Sequence, residues 1–123
     1  MKIKNIKFKA KSILDGAWVQ GDLVHKEDGA ICILRNGFNV SEVDPSTVCQ
    51  FTGLKDSEGK EIWEGDIVHD SYDRLCIDNL YEVVYIEEEG TFAFKSLDKV
   101  DNYEPFVNLF ETYVVGNKFD KKK

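Results

Sequence analysis

The chain has few of the residues on which several protein classes depend. Its three cysteines form no CxxC pair and its two histidines stand apart, which argues against a structural zinc site and a disulfide framework. Buried reduced thiols are expected instead. No apolar run approaches the roughly 20 residues of a membrane-spanning helix, and the N-terminus lacks the apolar stretch of a signal peptide. The cytoplasm is therefore the expected compartment.

Positive charge is also scarce, with 16 basic against 23 acidic residues and a net charge of −7. An acidic surface repels phosphate backbones, so nucleic acid is not the expected partner. The exception is the N-terminus, whose first eleven residues carry five lysines and no acid: Lys2, Lys4, Lys7, Lys9 and Lys11. Alternating lysines are typical of the solvent face of a strand, although they leave a phosphate-binding role open.

Short strand patterns fill most of the chain. Residues 6–11 alternate apolar and charged side chains, which is the period of a half-buried strand. Asn36-Gly37 predicts a tight hairpin turn, with Phe38, Val40 and Val43 lining the return strand. Further strands are predicted at residues 17–24, 31–34, 81–86, 91–95 and 112–116. The spacing of strands and turns favours a mainly β fold with little helix, either a small barrel or a sandwich.

Three segments do not follow the strand pattern. Asp44 followed by Pro45 predicts one capped turn of helix or 3₁₀ helix, because aspartate accepts free amides and proline suits the first helical position. Residues 69–80 have no clean period and predict a long loop. In residues 96–111 the apolar side chains fit one helix face, but Pro105 interrupts it.

Three carboxylates, Asp44, Glu64 and Asp66, raise the question of a metal or acid–base site. A structural interpretation explains them better, since Asp44 suits a helix cap and Asp66 follows the glycine of a turn. No metal, cofactor or catalytic residue is therefore predicted. Cys49 lies close to the expected helix N-terminus, which would favour a reactive thiol, but no histidine accompanies it, and neither a GxSxG motif nor a phosphate-binding loop is present.

Trp63 is the residue of this region with the clearest binding potential. Tryptophan is enriched at binding hot spots, but the neighbouring isoleucines also suit a core position. Trp18 poses the same alternative. The candidate partner-binding residues are Lys55, Trp63, Glu64 and Asp66.

Three stretches together resemble the YopX family of phage and prophage proteins: WVQGDLV (18–24), VDPSTVCQFTGLKDSEGKEIWEGDIV (43–68) and YVVGN (113–117). The central block matches the family pattern almost without interruption. Lys11 stands where the family usually has tryptophan, and the segment after Asn117 departs from the usual continuation, which puts any contact made through the family's C-terminal tail in doubt.

The resemblance implies one domain over residues 1–123. Residues 1–50 would form hairpins and the capped turn, and residues 51–120 an SH3-like barrel portion. No enzymatic activity is implied, and the setting would be the cytoplasm of a bacterial host.

The expected function is a non-enzymatic protein-binding module that contacts a host or phage protein or a second copy of itself. Two alternatives remain open. One is a nucleic-acid-binding module that uses the lysine-rich N-terminal strand, and the other is an acidic DNA mimic, suggested by the run from Glu87 to Glu89.

Overall fold

A computed structural model describes residues 2–70, 80–97, 103–105 and 112–120. These residues form antiparallel strands joined by short turns, with two 3₁₀ turns at Ile3–Asn5 and Pro45–Thr47. Within these ranges no helix has the length and apolar character needed to cross a bilayer. The chain divides into two compact units, Met1–Gly53 and Leu54–Lys123.

The first unit is built on an antiparallel sheet. Its strands are β1 (Phe8–Lys11), β2 (Trp18–His25), β3 (Ile31–Arg35), β4 (Asn39–Glu42) and β5 (Cys49–Lys55), which crosses the unit boundary. The hydrogen-bonding order is β4-β3-β2-β1-β5, followed by β6 (Glu61–Trp63). The core contains the buried side chains of Ala10, Ile33 and Val43, against which half-buried apolar residues pack.

The alternation predicted for residues 6–11 is confirmed, but the strand begins later. Ala10 is fully buried between the half-buried Lys9 and Lys11. The strand starts at Phe8 because the preceding residues turn: the amide of Ile6 donates to the carbonyl of Ile3 over 3.0 Å.

The Asn36-Gly37 turn is confirmed, with φ of 55° and 79° at its two residues. The prediction for its return strand was only partly correct. Val43 is buried, whereas Phe38 and Val40 are 77% and 55% exposed. Val40 and Val43 are three residues apart, and a strand sends such residues to opposite faces. With Val43 in the core, Val40 lies on the other face.

At Gly21 two strands of this sheet approach closely. A β-carbon at this position would overlap the carbonyl oxygen of Leu34 and lie 2.9 Å from its carbonyl carbon. Only a residue without a side chain fits there. This accounts for the glycine of the WVQGDLV stretch.

The capped turn at Asp44 is also confirmed. Its carboxylate accepts the amide of Ser46 over 3.0 Å, and Pro45 occupies the first position of the 3₁₀ turn. The turn is joined to β1, since the amide of Lys11 donates to the hydroxyl of Thr47 over 2.9 Å.

The second unit contains a five-stranded antiparallel sheet. Its strands are β7 (Asp66–Asp70), β8 (Leu80–Ile86), β9 (Thr91–Ser96), β10 (Tyr103–Pro105) and β11 (Thr112–Asn117), in the order β10-β9-β8-β7-β11. Its core is formed by Ile62, Val68, Val83 and Phe94.

The mainly β fold is thus confirmed, but the SH3-like barrel is not: over the described ranges both sheets are open. A loop was predicted at 69–80, but both ends of this range belong to strands: His69 and Asp70 to β7, and Leu80 to β8. Residues 71–79 lie outside the described residues. Within 96–111, a short strand ends at Pro105, as suits a proline on an edge strand.

Candidate functional site

The densest polar contacts in the second unit begin at the turn between β5 and β6. The amide of Asp56 donates to the carbonyl of Lys60 over 2.7 Å, and the amide of Gly59 donates back to the carbonyl of Asp56 over 3.0 Å. Gly59 has φ of 84°, a conformation that favours glycine. Residues 56–60 therefore form a tight hairpin turn between β5 and β6.

Asp56 joins this turn to the last strand. One carboxylate oxygen accepts the amides of Glu58 and Lys60, each over 2.9 Å, and the other accepts the amide of Val114 over 2.9 Å. Partial burial acts to raise the pKa of Asp56, but the three amide donors and the charge of Lys60 outweigh it and lower the pKa below its ordinary value. The carboxylate is thus held in its ionised form.

Ser57 makes the next contact along the same strand. Its amide donates to the carbonyl of Thr112 over 2.9 Å, and its hydroxyl accepts the amide of Thr112 over 3.0 Å. Because β11 is the terminal strand of its sheet, its outer N–H and C=O groups would otherwise face solvent. Asp56 and Ser57 therefore close the outer edge of β11 against strand addition.

A second polar cluster surrounds Asp66 at the start of β7. Its carboxylate accepts the amide of Trp63 over 2.7 Å and the side-chain amide of Asn117 over 3.0 Å. The side chain of Asn117 accepts in turn the amide of Phe119 over 2.9 Å. Asp66 and Asn117 are 2% and 7% exposed, so the bonds that the Asp66 carboxylate accepts are buried. The turn role predicted for Asp66 agrees with this geometry.

An irregularity in β11 accompanies this cluster. The strand pairing shifts between Val114 and Gly116, which leaves Val115 as the extra residue of a β-bulge with 59% exposure. Beyond the bulge, the amide of Asn117 donates to the carboxylate of Asp120 over 2.9 Å. The YVVGN stretch is thus joined to the central motif through Asn117.

The four predicted partner-binding residues do not form one surface. Trp63 is 3% exposed and Asp66 is buried in the cluster just described. Glu64 is half-buried and only Lys55 is exposed. The interpretation of Trp63 and Asp66 as partner contacts conflicts with this burial, since a partner cannot reach either side chain. Trp63 has the core position that was its alternative.

The family resemblance of the sequence motifs agrees with a comparison to known protein families. The family model for the YopX protein matches residues 5–122. The chain belongs to the YopX family. A search of curated proteins finds no match.

Within this YopX-family chain, the residues considered for chemistry do not converge. In the part of the chain that the structure describes, no three histidine, cysteine or acidic side chains are placed to hold a metal. Cys49 is buried, and its thiol donates to the carbonyl of Thr47 over 3.3 Å. It follows the C-terminal end of the 3₁₀ turn, whose N-cap is Asp44. Cys49 therefore lies beyond the C-terminal end of this turn, and not beside the helix N-terminus that was expected to favour a reactive thiol.

Three of the N-terminal lysines of the YopX-family chain, Lys7, Lys9 and Lys11, lie over aromatic rings. The ammonium of Lys7 lies 4.8 Å from the ring centre of Phe51, while those of Lys9 and Lys11 lie 4.6 and 5.3 Å from the ring centre of Trp18. These are cation–π distances. The lysine face of β1 is thus ordered by aromatic contacts rather than being only a solvated surface.

The strongest apolar exposure lies where the sequence pointed to no site. We define the outer edge of the first unit as Ile13–Leu14 together with Phe38–Glu42. Ile13 and Leu14 are 54% and 93% exposed, and the amide of Ile13 donates to the carbonyl of Glu42 over 3.1 Å. With the exposed Phe38 and Val40, these side chains place four large apolar groups along one edge. The sequence signal for this surface was two apolar residues near each of two turns: Ile13 and Leu14 before Asp15-Gly16, and Phe38 and Val40 after Asn36-Gly37.

Proposed function

We propose that this YopX-family protein is a non-enzymatic accessory protein of phage or prophage origin that acts by binding another protein. The contact is made by the outer edge of the first unit. The observation that carries this proposal is the difference between two terminal strands. In the described residues, β11 has its edge closed by side chains, whereas β4 lies beside exposed apolar residues.

The apolar composition of the outer edge supports a protein partner. Phe38 and Leu14 are the most exposed of its side chains, at 77% and 93%. Single exposed apolar residues are ordinary, but several on one edge are typical of an interaction surface. Their burial against a partner would release ordered water and favour association.

The setting of the family suggests the partner class. A host or phage protein in the bacterial cytoplasm is the partner that we propose, with a second copy of the chain as the alternative. We also propose that the second unit completes an SH3-like barrel. The support for this is that, in its five-stranded sheet, the last strand along the chain, β11, pairs with the first, β7.

The test is affinity capture of the tagged protein from nuclease-treated host lysate, followed by mass spectrometry. A double variant, Phe38→Ser with Val40→Asp, is compared with Val115→Asp, which changes an equally exposed valine on the bulge of β11. We expect the double variant to lose the captured protein and the control to retain it. Equal capture by both variants, with both folded, would contradict the proposal.

A second candidate function rests on the ordered lysine row. Lys7, Lys9 and Lys11 would bind the phosphates of a nucleic acid, with Trp18 as a neighbouring aromatic surface. Such binding weakens steeply with salt because counterions are released. Fluorescence anisotropy with a single-stranded oligonucleotide between about 50 and about 200 mM salt tests it, using Lys9→Gln as the variant. Salt-independent binding, or none at low salt, removes this candidate.

A further inference from the structure

We propose that Asn36 is a modification site, whose side chain loses ammonia without an enzyme through attack by the backbone nitrogen of Gly37. Asparagine is a chemically labile residue, and a following glycine has no β-carbon to hinder the attacking nitrogen. The pair lies at the tip of the hairpin between β3 and β4, directly before the exposed Phe38 of the outer edge. The reaction belongs to the chain itself, while its effect on partner binding rests on the proposed function.

The reaction needs only water and a solvent base. Hydroxide removes the proton of the Gly37 amide, and the nitrogen bonds to Cγ of Asn36. The Cγ–Nδ2 bond then breaks, and ammonia leaves with a proton from water. Water opens the resulting succinimide ring at either of its carbonyl carbons. The product at position 36 is aspartate when water attacks Cγ, and isoaspartate when it attacks the main-chain carbonyl carbon.

The turn at Asn36-Gly37 leaves both reacting groups unengaged. Its backbone hydrogen bond runs from the amide of Phe38 to the carbonyl of Arg35 over 3.2 Å, and so does not use the Gly37 amide. Among the described residues, neither the Gly37 amide nor the Asn36 side chain has a hydrogen-bond partner. Both residues are exposed, and a β-carbon on Gly37 would meet nothing within 4 Å. Base and water therefore reach the reacting atoms.

The Asp28-Gly29 turn of the same unit engages both of the corresponding groups. The amide of Gly29 donates to the carbonyl of Lys26 over 3.0 Å, and the carboxylate of Asp28 accepts the amide of Ala30 over 2.9 Å. A hydrogen-bonded amide gives up its proton less readily, as its slow hydrogen exchange shows. A carboxylate is also a poorer target for attack than an amide. The same type of dipeptide is thus protected in one turn and open in the other.

Asn39 provides a comparison within the same hairpin. It is exposed like Asn36, but Val40 follows it, and it is paired with Arg35 across the two strands. The branched side chain of Val40 crowds the nitrogen that would attack. We therefore expect Asn36 to react and Asn39 to remain intact.

Isoaspartate lengthens the backbone of the turn by a methylene group. The insertion falls between the carbonyl of Arg35 and the amide of Phe38, which are hydrogen-bonded in the unmodified turn. Because the turn of a hairpin fixes the register of its strands, the longer backbone should displace Phe38 and weaken this bond. Aspartate keeps the original backbone and is accepted in turns of this kind. Isoaspartate is therefore the product that alters the outer edge.

Heteronuclear NMR spectra of the full chain follow the reaction directly. The side-chain amide signals of Asn36 and Asn39 are recorded in one sample, kept warm in mildly alkaline buffer, and peptide mapping by mass spectrometry identifies the products. We expect the Asn36 signal to disappear at least about tenfold faster than the Asn39 signal. Equal rates, or an Asn36 that stays intact in the folded chain, would overturn the proposal.

Two variants at position 36 separate the products. Asn36→Gly is the unreactive control, because glycine suits the φ of 55° at this position and has no side-chain amide. Asn36→Asp has the charge of the aspartate product on the original backbone. We expect the Phe38 amide to exchange about fivefold faster in the isoaspartate fraction of the aged wild type than in either variant. Equal exchange in all three would contradict the proposed effect on the edge.

Affinity capture distinguishes failure of this inference from failure of the proposed function. A protein captured by the fresh chain should be lost from the aged wild type and retained by aged Asn36→Gly. Equal capture by both would show that the modification does not regulate the edge. If the fresh chain captures no protein, the proposed function fails, while the NMR rates still decide whether Asn36 reacts.

Discussion

The two units contain nearly the same five-residue turn, Lys26–Ala30 in the first and Asp56–Lys60 in the second. In each, the first amide donates to the fifth carbonyl, over 2.9 and 2.7 Å, and the fourth amide donates to the first carbonyl over 3.0 Å. Gly29 and Gly59 occupy the fourth position with φ of 92° and 84°. The local sequence of each turn therefore produces the same backbone conformation in both units.

The first residue of each turn differs, and so does what the turn does. In the first unit this residue is the exposed Lys26, and the turn is closed by the carboxylate of Asp28, which accepts the amide of Ala30 over 2.9 Å. In the second unit it is Asp56, whose carboxylate also reaches Val114 in β11. Together with Ser57, this carboxylate makes the hairpin end the cover of a sheet edge.

The units differ in charge as well. Residues 1–53 contain seven basic and six acidic residues, whereas residues 54–123 contain nine and 17, a net charge of −8. The acidic DNA mimic considered from the sequence would therefore have to use the second unit, and it stays a prediction.

The largest expected effect comes from a glycine outside both turns. Gly21→Ala would force a β-carbon into the backbone of Leu34, and we expect a loss of about 3 kcal/mol in the free energy of unfolding. Urea denaturation measures it, and hydrogen exchange should show the loss in the first unit. A change below about 1 kcal/mol would mean that β2 and β3 separate easily at this point.

Asp56→Lys tests the difference between the two turns. The substitution gives the second turn the first residue of the other and removes the acceptor of three amides. We expect a loss of about 2 kcal/mol in the free energy of unfolding and faster hydrogen exchange at Val114.

The reciprocal change, Lys26→Asp, is the control for Asp56→Lys. We expect it to alter stability by less than about 0.5 kcal/mol, because Lys26 is exposed. Equal losses in the two variants would show that the contact with β11 contributes little.

Acid should reduce the contribution of Asp56. Because the pKa of Asp56 is lowered in the folded protein, its stabilisation is present above the ordinary aspartate pKa of about 3.9. It is lost as the pH falls through the lower folded value. The difference in urea midpoint between the wild type and Asp56→Asn should therefore shrink from neutral pH to about pH 2.5. A constant difference would assign the effect to hydrogen-bond geometry rather than charge.

The smallest expected difference is between the two turn glycines. Gly29→Ala and Gly59→Ala place a β-carbon in open space, so only the positive φ opposes them. We expect each to cost about 1 kcal/mol, equal within about 0.5 kcal/mol. A much larger loss for Gly59→Ala, measured by urea denaturation, would show that the cover of β11 depends on the turn backbone as well as on Asp56.

Local patterns were sufficient to predict much of the fold. The strand at β8, the Asn36-Gly37 turn and the cap at Asp44 each depend on side chains within a few residues of one another. The structural role of Asp66 was likewise predictable from its place after a glycine. These features need no knowledge of distant contacts.

Distant contacts explain what the sequence did not show. The bond from Asp56 to Val114 joins residues 58 positions apart, and no periodicity marks that pairing. Trp63 is 3% exposed in the folded chain, but from sequence alone tryptophan suits a core and a binding surface equally. The exposure of Val40 depends on how β4 pairs with β3 after a three-residue turn. A shift of one residue in that pairing would move the side chain of Val40 to the other face of the sheet.

The separation between Asp56 and Val114 also bears on the order of folding. The β5–β6 hairpin can form from adjacent residues, but its contact with β11 closes a loop of 58 positions, which costs more chain entropy and slows folding. Until that loop closes, β7 lacks its pairing with β11 and the turn lacks its contact with the same strand. The step that seals the edge is therefore expected to come late, and the intermediate before it is the state in which this chain is most open to aggregation.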